Sequence, residues 1–262
     1  MSILKSINPS TEEIVKEYNE MDLSQVEDII EKSSGTQKEW SKIDITKRSQ
    51  IISNIRDLIN RDKESYAKII TLEMGKPISE SMAEVEKCIW LCDYYAENAK
   101  KFLGDQHVES DAKASFISFE PLGVILGVMP WNFPFWQVFR FAIPALLAGN
   151  SVLLKHASNV QGTALIIEKI FHESDIPEDV FRTLVISSEI VSDIISNNLV
   201  RAVSLTGSGH AGSKVGECAG KNLKKTVLEL GGADPFIILD DDFILDKRAK
   251  SKRFFVESKK GT

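Results

Sequence analysis

A chain of 262 residues, 43% apolar and 27% charged, has ample material for a core and falls in the range of one large domain or two small ones. Its net charge of −6, with the basic residues scattered, excludes the concentrated positive footprint of a nucleic-acid binder. The opening MSILKSINPSTEEIVKE holds no apolar run of signal length, and no charge-free run reaches the roughly 18 residues of a membrane span, so a cytoplasmic protein without membrane contact is expected.

Residues 6–20 read as an irregular or short-stranded opening. From Asp22, placed to cap, the pattern turns helical, with Leu23, Val26, Ile29 and Ile30 on one stripe and a weak spot at Ser33, Ser34 and Gly35. Asp44 or Thr46 caps a second helix with Ile51, Ile52, Ile55, Leu58 and Ile59 inward. Gly75-Lys76-Pro77 separates it from a third, over about 79–103. Cys88 and Cys92 fall in that third helix. They and Cys218 form no second pair of metal-type spacing, so buried thiols are expected, and no metal.

Around Phe116 the period changes. One strand runs through Phe119, Pro121 breaks it, and a buried strand follows over 123–128. Helices and strands then alternate: FPFWQVFRFAIPALLAG before SVLLKHA, GTALIIEKIFHES before FRTLVIS, SEIVSDIISNN before RAVSLTG, and GHAGSKVGECAG before KTVLELGG. Several of these strands are continuous apolar runs, the signature of a parallel sheet covered on both faces, with right-handed crossovers.

Ligands of such a sheet bind at the carboxyl ends of its strands. In LTGSGHAG, Thr206, Gly207 and Ser208 sit where backbone N–H groups and a helix dipole hold a phosphate, or where they merely cap a helix. Lys155 follows an apolar strand, either as a solvated lysine or as a donor to a phosphate or ribose. His156 beside it reads as a loop histidine. Glu229 ends the run TVLEL. It is either a partly buried carboxylate raised toward the range of a general base, or an exposed strand-end acid. Asn132, between Pro130 and Pro134, either donates to a developing oxyanion or bonds its own turn. Arg140, eight residues on, is a bidentate partner for a carboxylate or part of a salt bridge at the core edge.

Taken in order, PWNFP (Pro130–Pro134), LLKHASN, LTGSGHAG and LELGG resemble the aldehyde dehydrogenase superfamily, to about Asp240. MPWNFPFWQV, LLAGNSVLLKHA and LELGGADPFI most resemble its succinate-semialdehyde dehydrogenase-like branch. The resemblance implies an α/β fold: a Rossmann-like parallel sheet covered by helices, with a small β oligomerisation arm. Residues 1–106 would be the helix-rich start of the NAD(P)-binding domain, 107–121 the arm, 122–240 the Rossmann-like part, and 241–262 a vestige of a truncated catalytic domain. It also implies roles. Asn132 binds the oxyanion, Glu229 is the general base, and Arg140 holds the substrate carboxylate. Pro130, Trp131, Lys155, Ser158, Gly207, Ser208 and Leu230 contact the cofactor, NAD or NADP. Many NAD-preferring members carry a glutamate where this chain has Ser158, and its replacement relieves repulsion of a 2′-phosphate.

The family's chemistry needs a cysteine in a GQ-x-C segment after the glutamate. No such segment occurs, Cys218 precedes Glu229, and the tail AKSKRFFVESKKGT resembles the stretch just after the family's cysteine. The expectation is a truncated or internally deleted homologue that does not oxidise aldehydes by the family mechanism. The alternative is a non-catalytic dinucleotide-binding or assembly module. The partners implied are a small-molecule aldehyde and, for assembly, further copies of the chain or an intact paralogue.

Overall fold

Two antiparallel strands, β1 (Ile3–Ile7) and β2 (Ile14–Asn19), make a hairpin of the irregular opening, pairing Leu4 with Tyr18. The computed structural model describes residues 2–232; the proposed vestige at 241–262 and the end of the 122–240 region lie outside the described residues. Helix α1 (Leu23–Trp40) starts on a capping box in which Asp22 and Gln25 satisfy each other's backbone N–H. It runs through Gly35 without a break. A helical glycine costs only about 1 kcal/mol, and the stripe of Val26, Ile29, Ile30, Ser33 and Trp40 is buried along its whole length.

Helix α2 (Ile45–Met74) is capped by Asp44 and ends at Gly75, whose φ of 83° is left-handed. A β-carbon on Gly75 would also lie 2.6 Å from Pro9, so glycine is required there twice over. Helix α3 (Ile78–Leu103) follows, and both of its cysteines are fully buried, their thiols pushed up by desolvation. The strand expected through Phe119 shrinks to β4 (Phe116–Ile117), paired over two residues with β3 (Gln106–His107) and exposed on all four.

The alternating region then builds one parallel sheet. Its strands are β5 (Val124–Met129), β6 (Ser151–His156), β7 (Phe181–Thr183), β8 (Val200–Thr206) and β9 (Lys225–Glu229). Between them lie α4 (Trp136–Leu147), α5 (Gln161–His172), α6 (Val191–Ser196) and α7 (Gly209–Lys221). The spatial order is β7-β6-β5-β8-β9, so the chain winds outward one way from β5, then returns to its other side. Strand β7 is shorter than its apolar run, because Ile186 turns back to bond the carbonyl of Leu184.

The helical start is not separate from this sheet. Helices α2 and α3 share a core with α4 and α5 on one face, through residues such as Ile52, Ile55, Cys88, Phe139 and Phe171. On the other face, Val26, Ile29 and Ile30 of α1 pack with α6, α7 and the strands. No helix among the described residues is long and apolar enough to cross a membrane.

Candidate functional site

A doubly wound sheet opens a crevice where the winding reverses, at the carboxyl ends of the two strands that part there. Here those strands are β5 and β8. The segment Pro130–Pro134 leaves β5, and Gly207-Ser208 leaves β8, so two of the sequence motifs meet at the switch point. Lys155 and Glu229 end, or nearly end, the flanking strands β6 and β9.

Register and alternation divide these residues between two faces. Lys155 lies beside Val128, and Val128 beside Leu205. One residue on, His156 lies beside Met129, and Thr206 beside Glu229. Successive side chains on a strand point to opposite faces. The first row therefore faces α7 and the second faces α4.

The first row floors a cavity of about 590 Å³, whose walls include His210, Lys214 and Cys218 of α7. Lys155 is 7% exposed and belongs to none of the ion pairs among the described residues. Burial pushes its ammonium below the usual lysine range, with the carboxylate of Glu20 opposing. Ser158 begins a short 3-10 turn just after β6, partly buried. Ser208 caps α7, its hydroxyl accepting from the N–H of Ala211 at 3.2 Å. Leu230 lies across Gly212, where a β-carbon would come within 2.4 Å of it, so α7 packs close. One expectation fails. The N–H of Gly207 is committed to the carbonyl of Glu229 at 3.0 Å, because the β8–β9 ladder continues past Thr206.

On the second face, Asn132 and Trp131 are exposed. The Asn132 Oδ1 accepts from the N–H of the adjacent Phe133 at 3.1 Å, which leaves its NH2 outward. Arg140, in the second turn of α4, reaches Thr206 Oγ1 at 3.4 Å and Glu229 Oε2 at 3.6 Å. The salt bridge that was one reading of the guanidinium is thus present, to Glu229. Of the two readings of Glu229, the exposed strand-end acid is the one observed: its side chain is 54% exposed, on a strand that ends the sheet among the described residues.

Helix α4 carries Arg140 and begins at the end of the asparagine loop, and buried charges hold both of its ends. At its start, Glu84 Oε1 accepts from the N–H groups of Phe135 and Trp136 at 2.8 and 2.9 Å, while Oε2 pairs with Lys76 at 2.6 Å. At its finish, Arg48 donates to the Leu147 carbonyl at 2.9 Å and Trp40 Nε1 to that of Leu146 at 3.0 Å. An anion at the N-terminus and a cation at the C-terminus both complement the helix dipole. Glu73 does the same for α5, accepting from the N–H groups of Gly162 and Thr163 at 2.8 Å each.

These anchors were not singled out from the sequence. Glu84 does carry a signal, since it shares the buried stripe of Cys88, Leu91 and Cys92. His156 is corrected outright. It is the last residue of β6, fully buried, with Nε2 2.9 Å from the Pro134 carbonyl and Nδ1 3.0 Å from the N–H of Ala157. Burial lowers its pKa to about 4. Among the cysteines, Cys218 bonds the Ser192 carbonyl at 3.5 Å, not Asn132, Arg140 or Glu229.

Residues 2–254 match the sequence model of the Aldehyde dehydrogenase family. A probable succinate-semialdehyde dehydrogenase, NADP(+), of Synechocystis sp. is 44% identical over 238 residues, 91% of this chain and 52% of that protein. The Escherichia coli succinate semialdehyde dehydrogenase, NAD(P)+, Sad is 41% identical over 236 residues, 90% of this chain and 51% of its own length. The crystal structure of succinic semialdehyde dehydrogenase from Streptococcus pyogenes with NADP+ superposes with a TM-score of 0.88 at 38% identity. It covers 93% of this chain and 54% of that one. The chain spans about half the length of the curated relatives it matches.

Proposed function

The chain belongs to the aldehyde dehydrogenase family, and from that premise we propose that its 262 residues form the NAD(P)-binding part of a succinate-semialdehyde dehydrogenase. The meeting of Arg140 and Glu229 carries this reading. A guanidinium 38% exposed and a carboxylate 54% exposed stand 3.6 Å apart at the switch point, close enough to attract and too loose to be a structural pin.

The roles follow from that edge. The NH2 of Asn132, its carbonyl oxygen already engaged, is placed to donate to an aldehyde oxygen and would hold the oxyanion once a nucleophile attacked the carbon. Arg140 grips the carboxylate at the far end of a short semialdehyde, a bidentate geometry that suits it better than the single 3.6 Å contact. Substrate would then displace Glu229 from Arg140 and free it as the general base, a role that needs an acyl intermediate formed on a nucleophile that Cys88, Cys92 and Cys218 do not supply.

The first row fits a dinucleotide. Lys155 is a buried cation on a cavity wall, and Lys214 lines the same cavity. Ser158 presents no charge to repel a 2′-phosphate, which supports NADP over NAD, and the Synechocystis and Escherichia coli relatives are an NADP(+) and an NAD(P)+ enzyme by name. Ser208 places the N-terminus of α7 toward the pyrophosphate. Pro130, Trp131 and Leu230 complete the contacts, while Gly207 contributes closeness rather than its N–H. When bound, the dinucleotide supplies the hydride acceptor.

The same residues bind without oxidising. Cys88 and Cys92 are fully buried in α3 and Cys218 is engaged by α6, so none serves as the nucleophile beside Asn132. The exposed β3–β4 pair, with Phe116 and Ile117 about half exposed, fits a subunit contact in a homo-oligomer. Calorimetric titration with NADP and NAD, run beside an assay of succinate semialdehyde oxidation, tests this reading. NADP binding tighter than NAD without turnover is expected. Absent binding overturns the cofactor reading, and turnover by the 262-residue chain overturns the inactive one.

A further inference from the structure

The loop that carries Asn132 has little hold of its own. Asn132 is exposed, its side chain bonds only its neighbour, and Trp131 and Phe133 on either side are 50% and 46% exposed. An oxyanion donor nevertheless has to stand within a few tenths of an ångström of its place before the charge develops. Two buried groups outside the loop meet that need.

His156 touches both ends of it. Its Nε2 lies 2.9 Å from the Pro134 carbonyl, at the loop's last residue, and its Nδ1 lies 3.2 Å from the carbonyl of Met129, the residue before the loop. The Ala157 N–H, 3.0 Å from Nδ1, assigns the proton to Nε2, so the ring donates to Pro134. The second hold is the Lys76–Glu84 pair. Its side chains are 6% and 0% exposed; Glu84 takes the two N–H groups that follow Pro134, and Lys76 Nζ stands 4.0 Å from the centre of the Phe133 ring.

Resting on the assignment of Asn132 as the oxyanion donor, we propose that His156 and the Lys76–Glu84 pair are positioning residues for Asn132, gripping its loop from β6 and from α3. Stability alone does not account for them. A buried ion pair is often no more stabilising than apolar side chains of the same volume. Apolar groups, however, cannot accept from two backbone N–H groups as Glu84 does, or donate to the Pro134 carbonyl as His156 does. All three side chains converge on residues 129–136. Because Glu84 seats the first turn of α4, it also sets the direction of Arg140, one turn further on.

The grip is read on the 262-residue chain without ligand, by NMR of the Asn132 side-chain amide and by amide hydrogen exchange. In the unaltered protein the Asn132 NH2 gives one sharp pair of signals. In His156→Leu and in Lys76→Met that pair broadens or splits, and exchange over 131–136 accelerates at least tenfold while β1–β2 and the middle of α2 are unchanged. His156→Gln, which keeps a donor and an acceptor, restores most of the protection. An Asn132 signal and loop exchange within twofold of the unaltered protein in both variants overturn the proposal. So does an acceleration spread evenly over the chain. If His156→Leu does not fold, ring NMR of the unaltered chain decides. His156 stays neutral and single-tautomer through pH 5; titration at the ordinary value near about 6.5 overturns the grip. None of these readouts uses a dinucleotide, so failure of the cofactor reading registers separately, as absent NADP binding.

Discussion

Strands β6 and β9 lie in one parallel sheet, and each brings an ionisable residue to the same edge. In β6 all six residues are buried; in β9 four of five are exposed. Lys155 and His156, at the end of β6, are 7% and 0% exposed, and desolvation displaces the protonation of both. Glu229, at the end of β9, is open to solvent and loosely paired. The carboxylates repeat the contrast. Glu73 and Glu84 are 1% and 3% exposed, each accepting from two backbone N–H groups, whereas Glu229 keeps a contact it can exchange. Glu73, Glu84 and His156 are buried and satisfied, Lys155 is buried without an ion-pair partner among the described residues, and Glu229 is exposed with a contact it can exchange.

The most damaging way to break that contrast is to cut a hold on the buried side. Glu84→Ala strands the Lys76 ammonium without its partner and leaves the N–H groups of Phe135 and Trp136 unbonded. Removing one member of a buried pair costs about 3–5 kcal/mol. Urea unfolding followed by circular dichroism should show a loss of that size, and a loss below about 1 kcal/mol would mean that water reaches Lys76 freely.

A second test uses pH. His156 titrates at about 4 in the folded chain, against about 6.5 when unfolded. Between those values the unfolded chain binds the extra proton, so stability rises with pH across the window. It is fully present above about 6.5, falls as acid is added, and levels below about 4, a total near 3 kcal/mol at about 1.4 kcal/mol per unit. Urea midpoints from pH 7 to 4.5 should decline in the parent and flatten in His156→Gln. Equal slopes would place the proton elsewhere.

How much of this was legible depends on which atoms make the contacts. The sheet was readable because LLK and AVSLT are runs that only a two-sided burial explains, and Asp22 and Asp44 were readable as caps because capping is local. Lys155 and Glu229 were readable as strand-end charges. Gly207 misled, since a ladder bond one residue beyond the apolar run leaves no mark in its own sequence. His156 misled for a related reason: the carbonyl it bonds, that of Pro134, is 22 residues away, and every residue has a carbonyl. Glu84 sits in an acid-rich helix and bonds N–H groups 51 and 52 residues away, with only its place on the cysteine stripe to distinguish it. The loose Arg140–Glu229 contact joins two motifs 89 positions apart, and only the strand order brings them together.

A third prediction concerns the cavity. Lys155→Met removes a buried charge and should leave stability unchanged or slightly raised, because the desolvation is relieved. NADP affinity should fall about 10- to 100-fold, the size of a charge-assisted hydrogen bond of about 1.5–3 kcal/mol. Calorimetry measures the loss, and an undiminished affinity would remove Lys155 from the cofactor contacts.

The smallest effect tests β9 directly. Glu229→Gln keeps the shape and the carbonyl that receives the Gly207 N–H, and removes only a charge that stands 3.6 Å from Arg140 in water. Exposed pairs of this kind contribute about 0–1 kcal/mol, so the urea midpoint should shift by less than about 0.5 kcal/mol, with NADP binding unaffected. Had the edge been built as β6 is, the same exchange would strand a guanidinium and cost several times more. A loss above about 1 kcal/mol would therefore make Glu229 a structural pin like Glu84, already committed to its neighbours. A carboxylate so committed is not free to turn from Arg140 toward water, and the general-base role would fall with it.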